Sequence, residues 1–144
     1  AIAKKMPGAV DLAGRLTLAQ TAALLARARL YIGPDTAVTH MAAALNVPTV
    51  ALFGPSDPVK WAPWPATHRG DAEPWRRLGS QLAGRVALVQ GAAACVPCLL
   101  EGCARRIDST SDCLTQLPAA RVIEAAAALI GEEDVQATRI NRHG

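Results

Sequence analysis

Asp35-Thr36, with His40 four residues further on, forms a polar motif at the start of a predicted helix. Short side-chain oxygens accept hydrogen bonds from the free N–H groups of a first helical turn, so one interpretation is an ordinary helix cap. The same helix end, with its positive dipole, also suits a phosphate group. The Thr36 hydroxyl and a His40 ring N–H could both donate to an anionic oxygen. From spacing alone, phosphate binding and a plain cap with a helix histidine stay equally open.

A second polar loop, GPSDP at residues 54–58, directly follows an apolar run. Proline and aspartate are ordinary turn formers, so a tight turn is enough to explain it. Its place after a buried strand nevertheless makes its backbone amides, with Gly54 and Ser56, candidate ligand contacts. Trp61 and Trp64 come next, and packing at the rim is favoured over a stacking surface for them.

The four cysteines follow the spacing Cys95-x2-Cys98-x4-Cys103-x9-Cys113. Four thiolates can hold a tetrahedral zinc ion, for which closely spaced pairs are typical. A second C-x2-C pair is missing, however, so reduced thiols or opportunistic disulfides remain the alternative. A zinc ion at this position would be structural rather than catalytic.

The elements that position these residues are predicted from apolar runs and breakers. Residues 30–32 and 49–53 are short buried strands, and 37–45 has the spacing of a helix, which Pro48 prevents from continuing. Because one helix lies between the two strands along the chain, we expect the strands to form a parallel pair, connected by a right-handed crossover. Both polar loops then lie at the carboxyl edge of a parallel sheet, where ligands bind in α/β folds.

Upstream and downstream of this unit, the pattern predicts further elements. Thr17-Leu18-Ala19-Gln20 matches a capping box for a helix that extends to about residue 28. Residues 65–85 lose periodicity and gain Gly, Pro and charge, which predicts an exposed excursion. Residues 86–89 are a small strand. Pro118 suits a first turn, and residues 119–130 continue that helix until Gly131 ends it; residues 132–144 are a flexible tail.

Composition limits the function classes. The chain has 144 residues, 51% of them hydrophobic, and a net charge of +3 from scattered basic residues, which gives no support to nucleic-acid binding. No signal peptide and no apolar stretch of about 18 residues is present, which predicts a soluble protein. Residues 1–12 look like the end of an α/β unit, so we expect an excised domain rather than a whole gene product.

The ordered motifs in residues 12–65 resemble the donor-binding half of glycosyltransferase family 9, the lipopolysaccharide heptosyltransferases. That family shows a leucine-rich helix, a strand, an Asp-[Ser/Thr]-Gly-x-x-His motif, an Ala-rich helix, PTVALFGPTDP and W-x-P. Here the stretch is LYIGPDTAVTHMAAALNVPTVALFGPSDPVKWAPWP. The later C-x-P-C and following cysteine resemble the variable cysteine segment of the family.

The resemblance implies an α/β fold: a Rossmann-like parallel sheet flanked by helices, the C-terminal half of a GT-B glycosyltransferase. Residues 1–131 would be the nucleotide-sugar-binding domain. Asp35, Thr36 and His40 would contact the pyrophosphate and sugar of the donor, with the amides of Thr36 and Ala37 beneath them. Asp35 suits sugar hydroxyls or the helix cap better than phosphate. The catalytic base would lie in an N-terminal domain absent from this chain. The resemblance also implies that no metal ion bound by an Asp-x-Asp motif is needed.

We therefore expect the donor-binding domain of an inverting enzyme that transfers heptose from ADP-heptose to a lipid-linked lipopolysaccharide core acceptor. By itself it should bind donor weakly and turn nothing over. Ala37 replaces the glycine of the family and crowds the helix end, which slightly favours a non-catalytic nucleotide-sugar-binding module. A zinc-stapled interaction domain is a third hypothesis. The expected location is cytoplasmic, with contact to the inner membrane left open, and no nucleic-acid partner is expected.

Overall fold

The computed structural model describes residues 5–106 and 108–140. Its elements, in chain order, are α1 (Leu18–Leu25), β1 (Tyr31–Pro34), α2 (Ala37–Ala44), β2 (Thr49–Phe53), α3 (Pro58–Trp61), β3 (Gln81–Ala83), β4 (Val86–Gln90), α4 (Asp112–Thr115) and α5 (Ala119–Ile140). The strands form one sheet in the order β1-β2-β4-β3. β1, β2 and β4 are parallel, and β3 adds to β4 in the antiparallel direction. The predicted α/β fold with a Rossmann-like, mostly parallel sheet is confirmed.

Helix α1 begins with the predicted capping box. The Thr17 hydroxyl accepts the Gln20 backbone N–H, and the Gln20 side chain accepts the Thr17 N–H. These two bonds satisfy donors that the first helical turn would otherwise leave free. The helix ends at Leu25, earlier than the predicted boundary near residue 28.

Strands β2 and β4 form the buried centre of the sheet, and their side chains alternate between two apolar layers. On one face Phe53 and Leu88 pack with Trp75. On the other face Val50 and Val89 pack against α5. A parallel sheet must be covered on both faces, which explains the continuous apolar sequences of these two strands. The small strand predicted at 86–89 is confirmed, although it lies at the centre of the sheet.

Most residues of the predicted excursion over 65–85 are exposed, but its second half contains a buried anchor and a strand that the sequence did not indicate. Trp75 is buried, with 3% of its surface exposed, and its indole N–H donates to the Pro63 carbonyl. β3 follows it and pairs with β4. Periodicity fails in such a segment because a single buried aromatic residue anchors it through tertiary packing rather than through a repeating face.

The prediction that Gly131 ends the last helix is also wrong, since α5 continues to Ile140. A glycine inside a helix costs only about 0.5–1 kcal/mol relative to alanine, which good helix formers on either side can offset. The predicted flexible tail is thus helical over 132–140, and its last residues, 141–144, lie outside the described part of the chain. Within the described residues, no helix is both long enough and apolar enough to cross a membrane.

The buried position of Trp75 generates a first prediction. Trp75→Ala should lower the free energy of unfolding by about 3–5 kcal/mol, because it leaves a large cavity beside Phe53. Trp64→Ala is the matched control, since Trp64 is 46% exposed and should cost less than about 1.5 kcal/mol. Chemical denaturation measures both. Equal losses for the two variants would contradict the assignment of Trp75 to the core.

Candidate functional site

Two polar loops meet at the carboxyl edge of the parallel sheet. Pro34, the last residue of β1, is in register with Leu52 of β2. Asp35 therefore follows β1 at the same edge at which Gly54 follows β2. The predicted placement of both loops beyond neighbouring strand ends is confirmed.

Asp35 and His40 lie beside each other at the start of α2. The Asp35 Oδ1 atom is 3.6 Å from His40 Nε2, with 25% of the Asp35 side chain and 46% of the His40 side chain exposed. Asp35 directly precedes the N-cap residue Thr36 and His40 is the fourth residue of α2, so the chain geometry at the helix start sets their distance. The structure thus brings together a carboxylate and an imidazole that both reach solvent.

Thr36 is the N-cap residue of α2, but its hydroxyl accepts no N–H group of the first turn. The amides of Ala37 and Val38 come before the first intrahelical acceptors, as at every helix start. An eight-residue helix adds its positive dipole end at the same place. This end of α2 can therefore accept an anionic oxygen, whereas a conventional cap would have covered it. The plain-cap interpretation of the Thr36 side chain is wrong.

Thr39 and Tyr31 were missed by sequence reasoning. Thr39 is fully buried and its hydroxyl donates to the Pro34 carbonyl oxygen. The Thr39 hydroxyl oxygen also lies 3.1 Å from the Tyr31 hydroxyl and 3.4 Å from the Thr36 hydroxyl. A threonine inside an Ala-rich helix was the available signal, since this residue type is unfavourable there unless its hydroxyl has a partner.

The loop after β2 is largely covered by the cysteine-containing segment. A Cβ atom on Gly54 would lie 2.7 Å from Cys113 Sγ and 2.8 Å from Leu114 Cγ. A Cβ atom on Gly91, which follows β4, would lie 2.2 Å from the Cys113 carbonyl oxygen. Close packing by α4 is therefore enough to explain both glycines. The half-buried Ser56 and the buried Gly54 stay predicted donor contacts.

Asp57 performs a structural task at the end of that loop. Its carboxylate accepts the Val59 N–H and so caps the short helix α3. Its second oxygen lies 3.7 Å from Arg77 Nη1. This contact ties the 65–85 segment to the edge of the sheet. Because Arg77 is 58% exposed, the pair contributes little to stability.

A cavity of about 360 Å³ opens beyond the carboxyl end of β4. The Arg121 guanidinium, from the first turn of α5, donates to the Ser80 hydroxyl over 2.6 Å. The buried Gln90 side chain accepts the Gly79 N–H and donates to the Arg77 carbonyl. These bonds fix the loop before β3, whose residues form one wall of the cavity. The sequence pattern indicated none of these contacts.

Trp61 and Trp64 lie on the surface next to α3. Trp61 is 50% exposed, and Lys60 Nζ lies 5.1 Å from its ring centroid. Trp64 is 46% exposed and meets the His68 ring edge-on, with 5.1 Å between centroids. Both rings make local rim contacts while leaving about half of their surface open to solvent.

All four cysteines are free thiols. Within the described residues, no three His, Cys, Asp or Glu side chains are arranged to hold a metal ion, so the geometry gives the zinc hypothesis no support. Cys113 is buried, whereas Cys95 and Cys103 are exposed. Burial raises the pKa of the Cys113 thiol, and repulsion from Cys98, Cys103 and Cys95 raises it further.

The Gly54 contact gives a second prediction. Gly54→Ala should lower the free energy of unfolding by about 1–3 kcal/mol, because the new methyl group would overlap Cys113 and Leu114. Gly131→Ala is the control: its Cβ would meet nothing within 4 Å, and helix α5 should gain about 0.5–1 kcal/mol. Thermal unfolding compares them. A neutral Gly54→Ala variant would show that α4 does not pack there.

The cysteine environments give a third prediction. A raised pKa leaves less thiolate at any given pH, and the thiolate is the nucleophile. Iodoacetamide should therefore alkylate the exposed Cys95 and Cys103 first and Cys113 last, with the Cys113 rate increasing as the pH is raised. Peptide mass spectrometry measures each site, and the unfolded chain, in which all four thiols are open, is the control. Alkylation of native Cys113 as fast as Cys95 would contradict this burial.

Fold and site together define a class: a Rossmann-like domain with an open, polar helix terminus at the carboxyl edge of its sheet. Residues 1–70 match the family model described as glycosyltransferase family 9 (heptosyltransferase). This segment, which contains Asp35, Thr36 and His40, thus matches that family, and the predicted resemblance is confirmed. The cysteine-containing segment lies outside the match, so its likeness to the family stays a prediction.

Several curated proteins are similar to part of this chain. Lipopolysaccharide heptosyltransferase 3 of Escherichia coli is 45% identical over 58 residues, 40% of this chain and 17% of that protein. Lipopolysaccharide heptosyltransferase 1 of Pseudomonas aeruginosa is 54% identical over 44 residues, 31% and 12% of the respective chains. Lipopolysaccharide heptosyltransferase 2 of Escherichia coli strain K12 is 46% identical over 48 residues, 33% and 14%. The similar segments are thus less than a fifth of these relatives. No solved structure matches the chain.

Proposed function

We propose that this chain is the donor-binding domain of an inverting glycosyltransferase that transfers heptose from ADP-heptose to a lipopolysaccharide core acceptor. The observation that carries the proposal is the open N-terminal end of α2, with Asp35 and His40 beside it. The residues concerned lie inside the segment that matches glycosyltransferase family 9. Lipopolysaccharide heptosyltransferases of two bacterial species are 45% and 54% identical to parts of this chain.

Each residue has a distinct task in this proposal. The amides of Thr36 and Ala37 and the positive end of α2 receive the diphosphate of the donor. His40 donates a ring N–H to a phosphate oxygen or to the sugar. The Asp35 carboxylate, which would repel phosphate, accepts hydrogen bonds from sugar hydroxyls. Its position 3.6 Å from His40 Nε2 holds both side chains at the helix start before ligand arrives.

The rest of the reaction requires groups that this chain does not supply. Deprotonation of the acceptor hydroxyl and inversion at the sugar carbon need a base on the opposite side of the donor, which we assign to a second, N-terminal domain of a GT-B enzyme. The chain alone should therefore bind the donor without turnover. The proposal includes no metal, a cytoplasmic location and a lipid-linked acceptor at the inner membrane.

Ala37 favours a second candidate function, a nucleotide-sugar-binding module without transferase activity. The family has glycine at this position, and a methyl group there crowds whatever lies against the helix end. Ala37 is exposed at the first position of α2, which is the end proposed for the diphosphate. Turnover by the protein that contains this domain separates the two functions.

Nucleotide titration provides the fourth prediction. Isothermal calorimetry with ADP, UDP and GDP in parallel should show saturable binding of ADP. His40→Ala should weaken it by roughly ten- to a hundredfold, the worth of a hydrogen bond to a charged group. Alanine is a good helix former, so folding should be unaffected.

His68→Ala is the matched control for this titration. His68 also lies on the surface, but its ring N–H donates to the Ala72 carbonyl oxygen in another segment, and its loss should not change ADP affinity. Equal ADP affinity in His40→Ala and the wild type would remove His40 from the site. A preference for UDP or GDP would support the proposed donor site but contradict adenine as its nucleobase.

A further inference from the structure

One buried hydroxyl connects both ends of β1 to the start of α2. Thr39 has no exposed surface, and its hydroxyl donates to the carbonyl oxygen of Pro34, the last residue of β1. The same Thr39 oxygen lies 3.1 Å from the hydroxyl of Tyr31, the first residue of that strand. It also lies 3.4 Å from the hydroxyl of Thr36, the N-cap residue of α2.

The partners determine which oxygen donates each proton. A carbonyl oxygen only accepts, so the single Thr39 proton is committed to Pro34. The Thr39 oxygen must then accept from both other hydroxyls, those of Tyr31 and Thr36. The Thr36 hydroxyl therefore directs its proton toward the interior of the loop. This agrees with the absence of any bond from Thr36 Oγ1 to the first turn of α2.

Gly33 makes room for the tyrosine in this arrangement. A Cβ atom at this position would lie 2.2 Å from the Tyr31 hydroxyl oxygen and 2.6 Å from the adjacent ring carbon. The Tyr31 ring thus lies across the strand backbone, where only a glycine permits it to reach Thr39. Strand and helix start are tied together by side chains that run from the buried Thr39 and the half-buried Tyr31 to the exposed Thr36.

We propose that Thr39 and Tyr31 are positioning residues of the donor site, which hold the Thr36 hydroxyl away from the first-turn amides of α2 and keep these amides free for the diphosphate. This inference rests on the proposed function, because it takes the helix start as the place of the anion. A threonine N-cap ordinarily accepts the N–H of the second or third helical residue, here Val38 or Thr39. A cap bond to the Val38 N–H would lie next to the Ala37 amide that receives the diphosphate, so an internal cap and a bound phosphate would compete for the same helix start.

Thr39→Val tests this competition and is the fifth prediction. The variant keeps the shape of the side chain but removes the acceptor for Thr36, whose hydroxyl is then free to cap the helix. ADP affinity should fall by about fivefold, the ratio that corresponds to a typical N-cap hydrogen bond. Thr39→Ser keeps the hydroxyl and should keep the affinity. Tyr31→Phe removes one of the two donors and should have the smaller effect.

Thr49→Val is the matched control. Thr49 is also fully buried and donates to a backbone carbonyl, that of Val47, but it lies at the opposite end of β2. Its replacement should reduce stability in the same way as Thr39→Val and leave ADP affinity unchanged. Wild-type affinity in Thr39→Val, or an equal loss in Thr49→Val, would overturn the proposal.

Adding Thr36→Ala to Thr39→Val separates competition from a general loss of structure. Removal of the competing hydroxyl should restore part of the affinity that Thr39→Val loses, whereas the same substitution in the wild type should not increase affinity. A further loss in the double variant would mean that Thr39 only supports the fold. The proposal would then be overturned.

A ligand-free measurement tests the position of the Thr36 hydroxyl separately from the proposed function. The Val38 amide proton should shift in the NMR spectrum of Thr39→Val, because it gains the Thr36 oxygen as acceptor, and should not shift in Thr39→Ser or Thr49→Val. If the wild type binds no ADP, the proposed function fails and the Val38 signal alone decides the positioning role. An unchanged Val38 signal in Thr39→Val would overturn it.

Discussion

Burial of β2 on both faces and along both edges is the constraint on which the rest of the structure depends. The strand pairs in parallel with β1 on one side and with β4 on the other. Val50 on one face and Phe53 on the opposite face are fully buried. Such a strand needs a helix layer on each side, which α5 provides on one face and α2 with Trp75 on the other. Parallel pairing then puts both polar loops at one edge.

The candidate site depends on a helix start that is left uncapped. A bond from the N-cap side chain would stabilise α2 by about 0.5–2 kcal/mol, yet Thr36 makes none. Its hydroxyl is instead engaged by Thr39, a residue that the core holds in place. In the proposed donor site, the first amides of α2 are thereby left free for an anion, and the polar cluster lies directly behind them.

The cysteine-containing segment limits where that site can extend. Its short helix α4 packs on the glycines that follow β2 and β4, and the Leu99 N–H donates to the Pro55 carbonyl. Gly54 and Gly91 are thereby covered, while a cavity remains beyond the end of β4 and the end of β1 with Asp35 and His40 reaches solvent. Of the free thiols, Cys113 takes part in this packing in the interior, whereas Cys95 lies at the surface.

The sequence by itself determined the local elements and the family. Apolar runs with Pro and Gly breakers located β1, α2 and β2, and the capping box located α1, because these signals depend on residues close together in the chain. Only the tertiary structure decided that Trp75 belongs to the core, that α5 continues through Gly131 and that Thr36 does not cap its helix. Each of these outcomes depends on partners distant in sequence or on the summed helix propensity of a whole segment. No local sequence pattern indicates such effects.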